Sequence, residues 1–271
     1  MYADFDVLPE ETFIDFSVRV GSPSFIRRYV RMQAAFECEG RTPFKPVPRV
    51  QAYPALEWGL NWVISTHAHD HLILHAAVLE RDGRALLLAA APGSGKSTLS
   101  AALMQAGWRL LSDELALVEL ATGLVRPVAR PISLKNESID VVRTLGRDVQ
   151  LSDTCHGTSK GSVALMRPSS ESVERRHERA LPAWLVFPRF NRDGSLRFEP
   201  VGKAAAFCEM VGHAFNFGLL STDAFDCLSD LIDRCEIHRA EYGSFDEVLP
   251  LLEQYCCPHD DRLVCEVVLD G

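Results

Sequence analysis

Long apolar runs are missing from this 271-residue chain, and none approaches the ~20 residues that a membrane-spanning helix needs. A secretory leader is missing as well. Met1-Tyr2-Ala3-Asp4-Phe5-Asp6 is acidic, with no basic start and no apolar stretch behind it. The expectation is a cytoplasmic protein that engages no membrane. Positive charge is in deficit: 28 Lys and Arg stand against 37 Asp and Glu, for a net charge of −9. A nucleic-acid backbone requires a basic footprint, so nucleic acid is not an expected partner. The one basic cluster, Arg175-Arg176-His177-Glu178-Arg179, is interrupted by Glu178 and follows Glu171 and Glu174, and it reads as a solvated helix face. Internal repeats and low-complexity stretches are absent.

The eight cysteines include no CxxC pair. Cys38, Cys155, Cys208, Cys227 and Cys235 are scattered, several in apolar helical stretches where a reduced thiol acts as a small hydrophobe. Cys256-Cys257-Pro258-His259, with Cys265 beyond, matches no zinc spacing and reads as a C-terminal tail, with residues 263–269 as an added edge strand. Thr66-His67-Ala68-His69-Asp70-His71 is one residue short of a metallohydrolase ligand run. It reads as a polar loop.

What the chain does have is an ordinary globular composition, 47% hydrophobic and 24% charged, and one highly specific stretch. Residues 85–89 are apolar and extended. Ala90-Ala91-Pro92-Gly93-Ser94-Gly95-Lys96-Ser97 follows, and Thr98 opens an apolar helix. Strand, glycine-rich turn, Gly-Lys-Ser and helix form the context of a phosphate-binding loop. Glycines let successive N–H groups converge on one anion, and the helix start adds unpaired donors and partial positive charge. Gly93, Ser94, Gly95, Lys96, Ser97 and Thr98 are therefore the expected nucleotide-binding residues. Lys96 would meet the β- and γ-phosphates, and the Ser97 hydroxyl would ligate Mg²⁺. ATP and Mg are the expected cofactors. Ala90 stands where such loops usually begin with glycine, which matters only if that position needs positive φ.

The pattern divides the chain into an N-terminal region (1–70), a phosphate-loop domain (71–255) and a tail (256–271). In the first region, alternation predicts a strand over 12–20, a short basic helix over 25–36, an irregular segment around Pro43, Pro46, Pro48 and Pro54, and a helix over 55–65. Strands are expected over 72–79, 85–90, 108–111, 115–120, 184–188 and 237–242. Helices are expected from the phosphate loop to Ala106, from Ser138, and over 203–217, 222–234 and 245–255. The small, polar residues 152–161 are expected to form an irregular, mobile cover or acceptor-docking loop.

Asp113-Glu114 ends the strand after the phosphate-loop helix, and a short crossover brings such a pair beside the loop. A carboxylate there can hold Mg²⁺ or take a proton from an attacking hydroxyl. His75, on the strand before, would lie near the γ-phosphate, although a core histidine has the same spacing.

His75, the loop, and Ala106-Gly107-Trp108-Arg109-Leu110-Leu111-Ser112-Asp113-Glu114 together resemble HPr kinase/phosphorylase. More specifically, the chain resembles the HPr kinase-related A family. That likeness also takes in Leu56-Glu57-Trp58-Gly59-Leu60-Asn61-Trp62, Arg130-Pro131-Ile132-Ser133-Leu134-Lys135-Asn136, Lys160-Gly161 and Phe187-Pro188, over most of residues 10–255. It implies an α/β P-loop kinase of the HPr kinase C-terminal-domain, phosphoenolpyruvate-carboxykinase-like type, with a small N-terminal α/β region. It implies γ-phosphate transfer from ATP to a serine hydroxyl of a small protein or peptide. Asp113 would be the general base, Ser97 with Glu114 or Asp113 the metal ligands, and Lys96 and His75 would lie at the transferring phosphate. Arg130, Lys135 and Lys160 become candidates for stabilising phosphate charge. HPr kinase is a hexamer, which opens the chain to self-association, but no stretch fixes an interface. The acid pair is Asp-Glu rather than Asp-Asp, and the glycine-rich signature after it is missing, so neither the HPr substrate nor the reverse reaction carries over. A small-molecule hydroxyl as acceptor and a non-transferring nucleotide-binding regulator are the competing expectations.

Overall fold

The computed structural model describes residues 1–9, 11–146 and 149–256. These residues form a mixed α/β structure, with four sheets among them. The expected tail strand over 263–269 and the Cys257, His259 and Cys265 cluster lie outside the described residues. Among the described residues, no helix is long and apolar enough to cross a membrane, and no group of three or more His, Cys, Asp or Glu is arranged to hold a metal.

The N-terminal region is a three-stranded antiparallel sheet, β1 (Val18–Gly21), β2 (Gln33–Cys38) and β3 (Val47–Pro48), in the order β1-β2-β3. Helix α1 (Phe25–Tyr29) links the first two strands, and α2 (Ala52–His67) packs over the sheet. The apolar seam joins Phe16, Val18, Val20, Phe36, Cys38, Leu56, Trp62 and Val63. Gly59 has a steric purpose here. A Cβ on it would sit 2.3 Å from the Phe36 ring, so only glycine lets helix and sheet close.

Three expectations fail in this region. The strand expected over 12–20 forms only from Val18, because β2 ends at Cys38, opposite Val18, and offers residues 12–16 no ladder. The helix expected over 25–36 stops at Tyr29. The run Ala34-Ala35-Phe36 is buried as the central strand of the sheet, and tertiary pairing overrides its helical propensity. Pro54, expected in irregular chain, lies in the first turn of α2, where proline costs no hydrogen bond.

The strand expected over 72–79 is two strands, β4 (His71–Leu74) and β5 (Ala76–Arg81), broken at His75. The chain changes sheets there. β4 pairs with β8 (Ala116–Glu119), whereas β5 pairs with β6 (Arg84–Ala89) and with β7 (Arg109–Ser112). Helix α3 (Lys96–Gln105) joins β6 to β7. The β4–β8 sheet is completed by β9 (Val125–Arg126). Then come β10 (Ile132–Lys135) and α4 (Glu137–Arg143). The segment 152–161, expected to be irregular, contributes β11 (Cys155–Thr158), which forms a hairpin with β12 (Gly161–Met166) on β10. Positive φ at Gly157 and Gly161 makes that turn accessible.

After the short helix α5 (Ser170–Glu174), β13 (Leu181–Phe190) enters the centre of the main sheet, followed by β14 (Arg197–Pro200). Helix α6 (Lys203–His213) ends four residues before its expected limit at Phe217. Ala214 turns extended and bridges Leu74, and the buried Asn216 accepts from the Ile73 N–H at 3.0 Å and donates to the His71 carbonyl at 2.8 Å. These bonds to β4 replace the helical ones. Helices α7 (Phe217–Leu220) and α8 (Thr222–Arg234), strand β15 (Glu236–Tyr242) and helix α9 (Phe245–Tyr255) complete the described chain.

The main sheet runs β14-β15-β13-β6-β5-β7, with β6, β13 and β15 mutually parallel. Side chains alternate across it. Ala85, Leu87 and Ala89 face α6 and α8, while Leu86 and Leu88 face α3 and α9. Burial on both faces explains why β6 reads as an unbroken apolar run. The topology places the site. The carboxyl ends of β6, β13, β15 and β7, and the amino end of the antiparallel β5, share one edge of the sheet. Residues 75, 90–96, 113, 190 and 242 therefore meet there.

Candidate active site

Residues 90–95 leave β6 and curl before α3 begins. Gly93 and Gly95 hold φ of 88° and 90°, a region costly for any side chain. Ala90 is not among the positive-φ residues, so alanine serves at the loop's first position without strain. Gly95 is fixed twice over: a Cβ there would lie 3.0 Å from the Phe190 Cβ and 3.3 Å from the Tyr242 hydroxyl. Phe190 also donates its backbone N–H to the Ser94 carbonyl at 2.9 Å, tying the loop to the end of β13. No side chain caps α3, which begins at Lys96 with Ser97 and Thr98 in its first turn. Its first N–H groups are directed at the mouth of the loop.

The acid pair follows β7 directly. Lys96 crosses to it and donates from Nζ to the Asp113 carbonyl at 3.0 Å. The Ser97 hydroxyl donates to Asp113 Oδ2 at 3.1 Å, and the Ser133 N–H donates to the same oxygen at 3.2 Å. Asp113 Oδ1 is buried with no partner among the described residues. Burial raises the Asp113 carboxyl above the ordinary range, with Lys96 opposing and Glu114 reinforcing that shift.

Glu114 is treated oppositely. Burial alone would raise it, but Lys135, Lys160 and Lys96 together hold it below the ordinary range. Its Oε1 lies 3.6 Å from Lys135 Nζ, and its Oε2 accepts from Asn61 Nδ2 at 2.6 Å. Adjacent carboxyls pushed apart in this way can divide proton transfer from charge-holding.

The expected basic candidates separate. Lys135 and Lys160 face Glu114. Lys160 lies on the β11–β12 turn, 4.9 Å from the centre of the Trp58 ring, and burial lowers its ammonium. That hairpin is held to the start of α2: Gln51 donates to the Gly157 carbonyl at 3.0 Å, and Cys155 Sγ to the Val50 carbonyl at 3.4 Å. Arg130 is instead engaged by Asn61 Oδ1, and by Glu57 Oε2 at 3.5 Å. It reaches Glu114 through Asn61.

His75 sits in the gap between β4 and β5, half-buried, and donates its backbone N–H to the His213 carbonyl at 2.7 Å. Burial pushes its imidazole down to about 4, and the nearby Lys96 charge adds to the effect, so it is neutral at physiological pH. His213, at the end of α6, has its ring centre 6.2 Å from that of His75 and is lowered by burial as well.

Several residues of this constellation had no role assigned from the sequence, although Glu57, Trp58, Asn61 and Ser133 fall in stretches that carried the family likeness. Glu57, Trp58 and Asn61 lie on one face of α2, and their signal was polar groups at helical spacing in an otherwise apolar helix. His213, Ser133 and Tyr242 arrive from separate elements and carry no local signal.

A mixed α/β sheet with a glycine-fixed strand-to-helix loop at its carboxyl edge, faced by two acids, describes the site. A family model described as SynChlorMet cassette protein ScmC matches residues 55–125, from within α2 through the loop and both acids to β9. This is a different family from the HPr kinase-related one that the motifs resemble, and it overturns that resemblance. The loop and acid spacings among the features that carried it are ones a sheet of this topology needs to bring a glycine-rich loop and carboxylates together, and they are not particular to one family. No curated protein matches the chain.

Proposed function

We propose that the protein is an ATP- and Mg²⁺-dependent phosphotransferase that delivers the γ-phosphate to a hydroxyl of a small protein or peptide, the expected residue being serine. The observation that carries this is the opposed pair: a buried, raised Asp113 with one oxygen unpartnered among the described residues, beside a Glu114 that three lysines hold below the ordinary carboxyl range.

The donor set suits the cofactors. An uncapped helix start, two positive-φ glycines and Lys96 match a polyphosphate. Hydroxyl and carboxylate oxygens at Ser97 and Glu114 match a hard cation such as Mg²⁺. When bound, that ion supplies charge neutralisation at the β- and γ-phosphate oxygens. The loop N–H groups and Lys96 bind and orient the phosphates. Asp113 Oδ1 accepts the proton as the acceptor O–H bond breaks, the new O–P bond forms and the bridging P–O bond to ADP opens. Neutral His75 offers a hydrogen bond at the γ-phosphate without adding charge.

The test is γ-labelled ATP with Mg²⁺ in a cytosolic extract, with wild type beside Lys96→Ala and Asp113→Asn. A labelled polypeptide requiring both residues supports the reading. Label confined to a small molecule would change the acceptor class. Tight nucleotide binding without any labelled acceptor would make the protein a regulator.

A further inference from the structure

We infer that Asn61, on the N-terminal helix α2, is a positioning residue that presents Glu114 to the metal, and that Arg130 sets its orientation. This rests on the reading of Glu114 as a metal ligand.

The geometry leaves Asn61 one arrangement. Arg130 can only donate, so the Asn61 oxygen must face the guanidinium. The amide nitrogen is thereby turned to Glu114 and donates to Oε2 at 2.6 Å. One carboxylate oxygen is occupied, and Oε1 is left as the lobe that can reach a cation, with Lys135 Nζ 3.6 Å from it. A neutral amide suits this purpose. It fixes the carboxylate without cancelling the charge the metal needs, which a lysine at position 61 would do.

The orientation is backed further out. Glu57, one turn before Asn61, is buried, lies 3.5 Å from Arg130 and accepts from the Tyr2 hydroxyl at 2.6 Å. A relay Tyr2–Glu57–Arg130–Asn61–Glu114 thus runs from the first residues of the chain to the acid pair. The N-terminal region is then part of the metal site, because no residue of the phosphate-loop domain holds Glu114 Oε2 among the described contacts.

The experiment uses the full chain and a fluorescent ATP analogue, titrated over a series of free Mg²⁺ concentrations and in EDTA, with thermal unfolding alongside. Asn61→Ala should move the Mg²⁺ midpoint for nucleotide binding upward by about 10- to 100-fold, while metal-free affinity stays within about twofold. Arg130→Gln, which frees the amide to flip, should shift the midpoint the same way by less, and it serves if Asn61→Ala does not fold. An unchanged midpoint, or equal losses with and without metal, would give Asn61 a purely structural role and overturn the inference. A wild-type protein whose nucleotide binding ignores Mg²⁺ would instead remove the functional reading on which it rests.

Discussion

The two halves of the site are built by opposite means. The loop half, proposed to hold the phosphates, is local: Gly93, Ser94, Gly95, Lys96, Ser97 and Thr98 are contiguous, and backbone conformation sets its shape. The carboxylate half is assembled from a distance. Glu114 is held by Asn61, Lys135 and Lys160, which come from α2, β10 and the β11–β12 turn. A local half tolerates no change in backbone but asks little of the rest of the fold. A distributed half tolerates small changes but depends on every element that contributes to it.

The largest effect should come from the residue where the halves touch. Asp113→Asn should lower phosphoryl transfer by about 10²–10⁴-fold, with nucleotide affinity retained, as measured by transfer rates at saturating ATP. Lys96→Ala should cost about 10²–10³-fold and weaken nucleotide binding as well. Wild-type transfer by Asp113→Asn would remove Asp113 from the chemistry.

Within the local half, Gly95→Ala should lower stability by about 1–3 kcal/mol, since φ of 90° is strained for alanine and its methyl meets Phe190 at 3.0 Å. Thermal unfolding measures this. A melting temperature unchanged by Gly95→Ala would show that the loop is not fixed by Phe190.

Acid should act on His75. Its folded-state value of about 4 lies below its ordinary value of 6.5, so the unfolded chain takes up the proton first. Its contribution to stability is fully present above pH 6.5 and is lost as pH falls from there toward about 4. His75→Gln should flatten unfolding free energy over that window. A slope identical to wild type would place the titration elsewhere.

The smallest effect belongs to the distributed half. Trp58→Leu removes the ring under Lys160 and should weaken nucleotide binding by about 0.5–1 kcal/mol, measured by titration. No change would show that the β11–β12 hairpin holds Lys160 without Trp58.

The same contrast explains what was legible in the sequence. The strand–loop–helix order around residues 85–105 and the position of Asp113 after the next strand were readable because contiguous residues carry their signal. Helices α8 and α9 were readable because apolar residues recur in them at helical spacing. The break at His75 was not, because the chain changes partners there and local propensity favours continuing the strand. The ending of α6 at His213 follows from bonds between Asn216 and β4, more than 140 residues away, as the separations of 143 and 145 show. The family resemblance went too far for a different reason: it was built from short stretches of both halves, those with Asn61, Lys135 and Lys160 included, and short matches do not fix a family.

The most direct test of the division between Asp113 and Glu114 is a single-turnover transfer rate measured against Mg²⁺ for Asp113→Asn and Glu114→Gln. The account predicts that excess Mg²⁺ restores much of the loss in Glu114→Gln and none of it in Asp113→Asn. Equal recovery in both variants, or recovery in Asp113→Asn alone, would contradict it.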